Sequence, residues 1–514
     1  MARRTDDGGA AVSGQLRSAP ALATARKVVL LAGIGGVAVL LCAALVVLVP
    51  GSPIAGSVLL VAALCGGVAL FSVPVHWLPG IALVTFVVIP MQLLPSQGAG
   101  NVLRPALVIL YVWLLRRLLA TPLRALADPA NPADPHPIRS AFGWYLMTSV
   151  SAVLLAVWTW TAIGWSPIPT TSTSWTASFL LSAFLPLLVL DAREEARVLR
   201  SCFLWAGAAA GAYAMLEQAV RSSPLFDAVY AALGAAVGAP WAVYRAEVSF
   251  GHPLFAGAFL TVPAVLGIVG WLQGGRRREL VLGAIAAVGV VMTVSRGSLL
   301  AVGAGLVAGA AALALVMPGV RKERLLAVVP FGIIAVLGLG AFGPLSQRED
   351  SVESGLSADV RFRALDVALR SAEQTGWLGG GPATSGVLGR QFSQIVIENS
   401  ILQLLMSLGV PGLLLFVLVV GSACIVALQR GDAAAAAVVV AYVVAIAGFN
   451  ALDAVRGMHV MMGFLLLLAL HGRRLDTVIP PQRLRQQQRR DPNQQRPAAV
   501  SALRHGPVGA EATP

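Results

Sequence analysis

Long apolar runs alternate with short polar breaks along most of the chain. A helix needs about 20 apolar residues to cross a bilayer. By that measure spans are predicted at 28–49, 54–75, 78–95, 103–119, 141–163, 174–190 and 199–220. They continue at 254–273, 280–294, 299–317, 325–342, 399–428, 433–449 and 458–471. Several runs are short, so the expectation is an all-α polytopic membrane protein of about 12–14 transmembrane helices. The run from Val28 to Val49 is too long for a signal-peptide core and lacks a small-residue cleavage pattern, so it is predicted to be an uncleaved first span.

The pattern divides the chain into five parts: a cytoplasmic N-terminal segment (1–27), a transmembrane bundle of about 11 spans (28–342), a large extracytoplasmic loop (343–398), C-terminal transmembrane helices (399–471) and a basic, disordered cytoplasmic tail (472–514). Two outer loops are long, 221–253 and 343–398, and long ordered loops on a rigid scaffold commonly carry function. In the second, SADVRFRALDVALRSAEQ has Val360, Leu365 and Leu369 at helical spacing and predicts a surface helix.

Composition agrees with this pattern. Of 514 residues, 57% are hydrophobic and 12% charged, about half the charged share of a soluble domain. A soluble enzyme, a nucleic-acid binder and a disordered protein are excluded. The net charge of +13 does not point to nucleic acid, because the cations lie in short clusters between apolar runs. With both termini inside, 27 of the 37 Lys and Arg face the cytoplasm, and the opposite orientation reverses that bias. The expected location is therefore the bacterial cytoplasmic membrane, multi-pass, N-in and C-in. Cys42, Cys65, Cys202 and Cys424 all fall inside apolar runs without a CxxC pair, as small packing residues do.

Charges at membrane edges are the best pointers to chemistry in such a chain, and they gather on the predicted outer side. Arg296 sits in the tight turn VSRGSLL, Arg245 and Glu247 precede FGHPLF, and Glu217 lies near the outer end of its span. Glu398 and Asn399 open the span at 399–428, and Asp453, Arg456 and His459 surround the last outer turn. An arginine at a helix end can simply snorkel to the headgroups. That account is weakest for Arg296, whose turn needs no cation and works against the positive-inside bias. Glu398 either caps its helix or acts as a base. Glu217 is expected to be a satisfied polar group of the bundle, and His252 and His459 interface residues. No HxxxH, HExxH or DxD pattern occurs in the outer loops, so no metal is expected. Guanidinium groups grip phosphate oxygens bidentately, and a carboxylate among them can accept a proton from a sugar hydroxyl. Arginines and a base without metal suit glycosyl transfer from a lipid diphosphate.

The string ENSILQLLMSLGVPGLLLF resembles the signature of the O-antigen ligase and O-antigen polymerase superfamily: His-Asn, nine residues, then GxxG, after a large outer loop. Glu398 and Asn399 are followed at matching spacing by Gly409 and Gly412, with Glu in place of His. DVRFRALDVAL resembles the family's Arg-bearing loop helix and carries Arg361. LGGGPATSG resembles its GxGPxT turn, here Gly379, Gly381, Pro382 and Thr384. TVSRGSLLA and YRAEVSFGHPLFAGAFL resemble the stretches holding two functional arginines, Arg296 and Arg245. The likeness covers about 240–430.

This resemblance implies a GT-C-like helical bundle acting on polyprenyl-diphosphate-linked glycans at the outer face of the membrane. Arg245, Arg296 and Arg361 would bind the diphosphate, Glu398 would stand in for the family's His as base, and Asn399 would orient it or the substrate. The acceptor would be a glycan or a lipid; membrane lipids and a polysaccharide-assembly complex are the other expected partners, and no metal, nucleotide sugar or other cofactor is needed. A composition rich in Ala, Gly and Arg with only Lys27 and Lys322 suggests a GC-rich genome, and nothing indicates a lipopolysaccharide system, so a polymerase is preferred over a ligase. The competing expectations are a transporter or flippase of lipid-linked sugars, which predicts charges lining a midplane cavity, and a non-catalytic family member acting as a scaffold.

Overall fold

The computed structural model describes residues 71–91, 104–120, 138–232, 243–315, 343, 347, 352–393, 395–453 and 456–472. Among them every regular element is a helix. The predicted spans at 28–49 and 325–342 lie outside the described residues, as do 54–70 of the span at 54–75, the segment 1–27 and the tail beyond residue 472.

The first half supplies α1 (Leu78–Val88), α2 (Pro105–Ala120), α3 (Ile138–Ala162), α4 (Pro169–Ala183), α5 (Arg193–Val220) and α6 (Pro224–Ala232). The middle supplies α7 (Pro253–Leu272), α8 (Arg277–Met292), α9 (Arg296–Leu315), α10 (Val352–Gln374) and α11 (Ser385–Ser393). The chain continues with α12 (Ser400–Gln429), α13 (Ala433–Ile446) and α14 (His459–His471). A helix therefore stands at each predicted span that the structure describes. Four segments, 141–165, 253–272, 296–315 and 400–429, are long and apolar enough to cross a bilayer by length and composition. Others are shorter than their apolar runs because chain breakers end them. The run at 78–95 stops as helix at Val88, before Pro90, and the run at 174–190 yields α4 and then a 3₁₀ turn at Leu185–Leu188 that carries Pro186.

Burial separates an inner from an outer set. All 13 residues of α14 are buried, and α7 and α13 are buried over most of their lengths. Around them α3 turns Phe142, Val153, Val157 and Trp160 outward, and α12 turns Leu414 and Val417 outward. Large apolar groups facing out and small or apolar groups facing in are what a bilayer solvent demands. Glycine brings backbones close at the crossings: a Cβ on Gly267 of α7 would fall 2.7 Å from the Cα of Gly283 on α8.

One end of the bundle is tied by charge. Arg200 of α5 reaches both carboxylate oxygens of Asp432 at 3.2 and 3.3 Å and lies 3.9 Å from Glu279 of α8. Asp432 also caps α13 by accepting the Ala435 amide at 3.0 Å. Nearby, buried Glu195 accepts from Arg117 and, at 3.4 Å, from the Trp113 indole. Arg200 and the buried Asp432 and Glu195 thus each meet an opposite charge, as the low dielectric requires. The residues of chemical interest lie at the other ends of the same helices.

Candidate functional site

Three chain segments meet at that second end. The first is the reversal between α8 and α9. Val294 has φ +51°, and Ser295 accepts from the Ser298 amide at 3.3 Å and the Ser298 hydroxyl at 2.9 Å, which starts α9 at Arg296. Residues 243–247 lie alongside: the Ala246 amide donates to the Met292 carbonyl at 3.1 Å, and the buried Arg245 donates through Nε to the Thr293 carbonyl at 3.3 Å. Arg245 thus rests on the turn that presents Arg296.

The segment that carries Arg245 is held by Glu217. This fully buried carboxylate accepts from the amides of Glu247 at 2.9 Å and Val248 at 3.0 Å, and from the Ser223 hydroxyl. Val248 pays for the arrangement with φ +53°, a costly conformation for a β-branched residue. Glu217 is the satisfied polar group that its position predicts, and its oxygens are committed to structure. His252 caps α7, its Nδ1 accepting from the Leu254 amide at 3.2 Å. Burial, assisted by the Arg245 charge, lowers its pKa from 6.5 to about 4. The ring is neutral at physiological pH, and with Nδ1 accepting, the proton sits on Nε2.

The second and third segments are the start of α12 and the turn after α13. Asn399 is the N-cap of α12, its side-chain oxygen accepting from Ile401 at 2.9 Å and Leu402 at 3.1 Å. Ser400 clasps the 449–452 turn: its hydroxyl donates to the Phe449 carbonyl at 2.8 Å and accepts from the amides of Ala451 at 2.9 Å and Leu452 at 3.2 Å. The turn reaches back to the arginines in two ways. Gly448 abuts Gly297, next to Arg296, and the Phe449 ring lies 5.3 Å from Phe255, itself 4.9 Å from the His252 ring. Arg245, Arg296, Glu398 and Asn399 are therefore gathered at one end of the bundle.

Helix capping belongs to Asn399, so the cap does not need Glu398. That carboxylate is half-buried and, among the described residues, makes no hydrogen bond or ion pair. Arg361 lies on α10, and Arg456 opens a short 3₁₀ turn; the side chains of both lie outside what is described. His459 is buried in the bundle rather than at its surface: one ring nitrogen lies 2.7 Å from the Leu452 carbonyl and the other 3.3 Å from the Ser178 hydroxyl.

The glycines have a common task. Gly409 interrupts α12 with φ 67° and ψ −171°, a combination open only to glycine. The groups freed there pair with the Gly-rich turn: Gly380 donates to Met406 and Gly381 to Ser407, each at 2.9 Å, and Val410 donates to Trp377 at 2.9 Å. Gly379 and Gly381 have φ of 82° and 102°, and Gly412 leaves room for the Trp158 ring. The turn is fixed further by the Trp165 indole donating to the Gly379 carbonyl at 3.0 Å and by Ser385 donating to Asp453. The four glycines of the motif thus bind the large loop to the broken helix that Glu398 and Asn399 precede.

Sequence reasoning did not single out Ser400, or the particular duty of Glu217. Pro253 at the first position of α7 was the legible sign of the helix start, while His252 was expected as an interface residue and not as its cap.

Residues 281–417 match the family model described as O-antigen ligase. The matched stretch includes Arg296, Arg361, Glu398, Asn399 and the four glycines, and excludes Arg245. No curated protein matches the chain.

Proposed function

We propose, on the match of residues 281–417 to the family model described as O-antigen ligase, that this chain transfers or polymerises a polyprenyl-diphosphate-linked glycan at the outer face of the bacterial cytoplasmic membrane. The observation that carries the reading is the gathering of two arginine-bearing turns and an uncommitted carboxylate at one end of the bundle. Arg245 and Arg296 hold the diphosphate through their planar forks and offset the charge that grows on it as the glycosidic bond breaks. Glu398 takes the proton from the acceptor hydroxyl as that oxygen attacks the anomeric carbon. The products are the extended glycan and the free lipid diphosphate, and no step needs a metal. A polymerase, with a second lipid-linked glycan as acceptor, is preferred over a ligase.

The gathering of charge at one end favours chemistry there over carriage of a substrate through the midplane. The test is transfer by purified protein, reconstituted with a lipid-diphosphate oligosaccharide, with and without a chelator. Removing one positioned base typically lowers the rate by about 10²–10⁴. Glu398→Gln is expected to lose turnover on that scale while still binding the donor, and wild-type turnover is expected to survive the chelator. Normal turnover by Glu398→Gln would move the base elsewhere, and loss of wild-type activity to the chelator would remove the metal-free mechanism.

A further inference from the structure

The loop helix α10 reverses the usual partition of a surface helix. Its packed side is made of small or slender groups: Ala364, Val367 and Ala368, which join Leu388, Ile397 and Met406 in a buried cluster, and the buried Ala372. Its larger apolar groups point away: Phe362 is 82% exposed, Leu365 50% and Leu369 40%. At 3.6 residues per turn these three fall within about a 60° arc. Arg363, Asp366, Arg370 and Glu373 occupy the adjoining arc and are also exposed, Arg370 pairing with Asp366 at 2.9 Å. The helix therefore has three flanks: one packed on protein, one apolar and open, one charged and open.

The chain leaving α10 joins the outward-facing apolar surface of the bundle. Just beyond α10, exposed Trp377 and Leu378 join the break in α12 at Gly409. Trp158 near the end of α3 and Trp165 in the 3₁₀ turn that follows it donate to Leu408 and Gly379 at 2.7 and 3.0 Å. Exposed Trp160 lies at this level, and exposed Val153 and Val157 on α3 with exposed Leu414 and Val417 on α12 continue the apolar surface away from it. Indole rings concentrated at one height mark the headgroup boundary of a bilayer.

We infer that α10 is an interfacial helix, with Phe362, Leu365 and Leu369 seated among the lipids of the adjacent leaflet and the Arg363–Glu373 flank in water. Amphipathic helices lie in this plane with their apolar side a few ångströms below the headgroups. The lipid contact would hold the large loop, and through the Gly-rich turn the start of α12, at a fixed height above the membrane. This inference does not depend on glycan transfer.

Nitroxide labels on single cysteines test it, in protein whose four native cysteines are replaced by alanine, reconstituted in phospholipid nanodiscs. Labels at Phe362, Leu365 and Leu369 are expected to relax mainly with oxygen, and labels at Asp366 and Arg370 mainly with a water-soluble nickel chelate. Nickel-dominated relaxation at all five would overturn the inference. So would dipolar broadening at 362 without oxygen preference, which would mean a second copy covers the flank. On the native-cysteine chain, Phe362→Asp should raise trypsin cleavage at Arg363 and Arg370 several-fold in nanodiscs; cleavage equal to wild type would also count against it.

Discussion

At the scale of single residues, the site depends on charges that differ in how firmly they are fixed. Arg245 is buried and anchored to the Thr293 carbonyl, whereas Arg296 is half-buried at a helix start. Lysine keeps the charge but loses the planar fork, so Arg296→Lys should impair transfer in a reconstituted assay, and Arg296→Ala should do worse with the protein still in the membrane. Normal polymer from Arg296→Ala and Arg245→Ala would leave Arg296 a headgroup anchor and Arg245 a brace of the turn. His252 gives a prediction in pH. Its folded pKa, about 4, lies below the unfolded value near 6.5. The unfolded chain therefore binds more protons between these values. Stability is greatest above about pH 6.5 and falls as pH drops towards 4. His252→Asn retains a capping oxygen without the titration, so melting curves from pH 4 to 7 should show a shallower acid loss than wild type. An unchanged slope would assign the acid sensitivity to other groups.

At the scale of elements, what was legible followed directly from residue spacing. Among the described residues the apolar runs stand as helices, and the pairing of Glu398–Asn399 with Gly409 and Gly412 marked a candidate segment that the family-model match at 281–417 also covers. What was not legible were relations between distant segments. No local pattern announces that Gly409 breaks α12 to receive the turn at 377–381, or that Ser400 holds the turn after α13, because those bonds join residues dozens of positions apart. The spacing of Leu365 and Leu369 correctly gave a helix, but periodicity does not say which flank packs, and here the larger groups face out. The break itself is testable. Gly409→Ala forces a Cβ into a glycine-only conformation and against the backbone of Leu378. The backbone strain alone costs about 1–3 kcal/mol. A lower melting temperature and weaker transfer should appear together, whereas Ala at exposed Gly376 loses only its positive φ, with open space around it, and should be milder. Equal stability of Gly409→Ala and wild type would mean the break is not needed.

At the scale of the whole molecule, one end of the helices is locked by ion pairs and the other carries the candidate chemistry. The sign of the charge around the apolar runs predicts which end meets the cytoplasm. In a cysteine-free background, a cysteine at exposed Glu373 should react with a membrane-impermeant maleimide added to intact cells, and one at exposed Arg277 should not. Labelling at 277 alone would invert the orientation and carry the candidate site to the cytoplasmic face.

The complete burial of α14 bears on how the protein is made. A segment that touches lipid nowhere in the finished fold is nevertheless synthesised after the thirteen helices described before it. When it leaves the ribosome, its neighbours α4, α12 and α13 have already been inserted, yet they cannot have closed on each other. Either they wait apart around a lipid-filled gap, or they open to admit the latecomer. Chains halted before Arg456 should therefore persist as loose, protease-sensitive assemblies, and compaction should coincide with the arrival of the last helix rather than build up span by span.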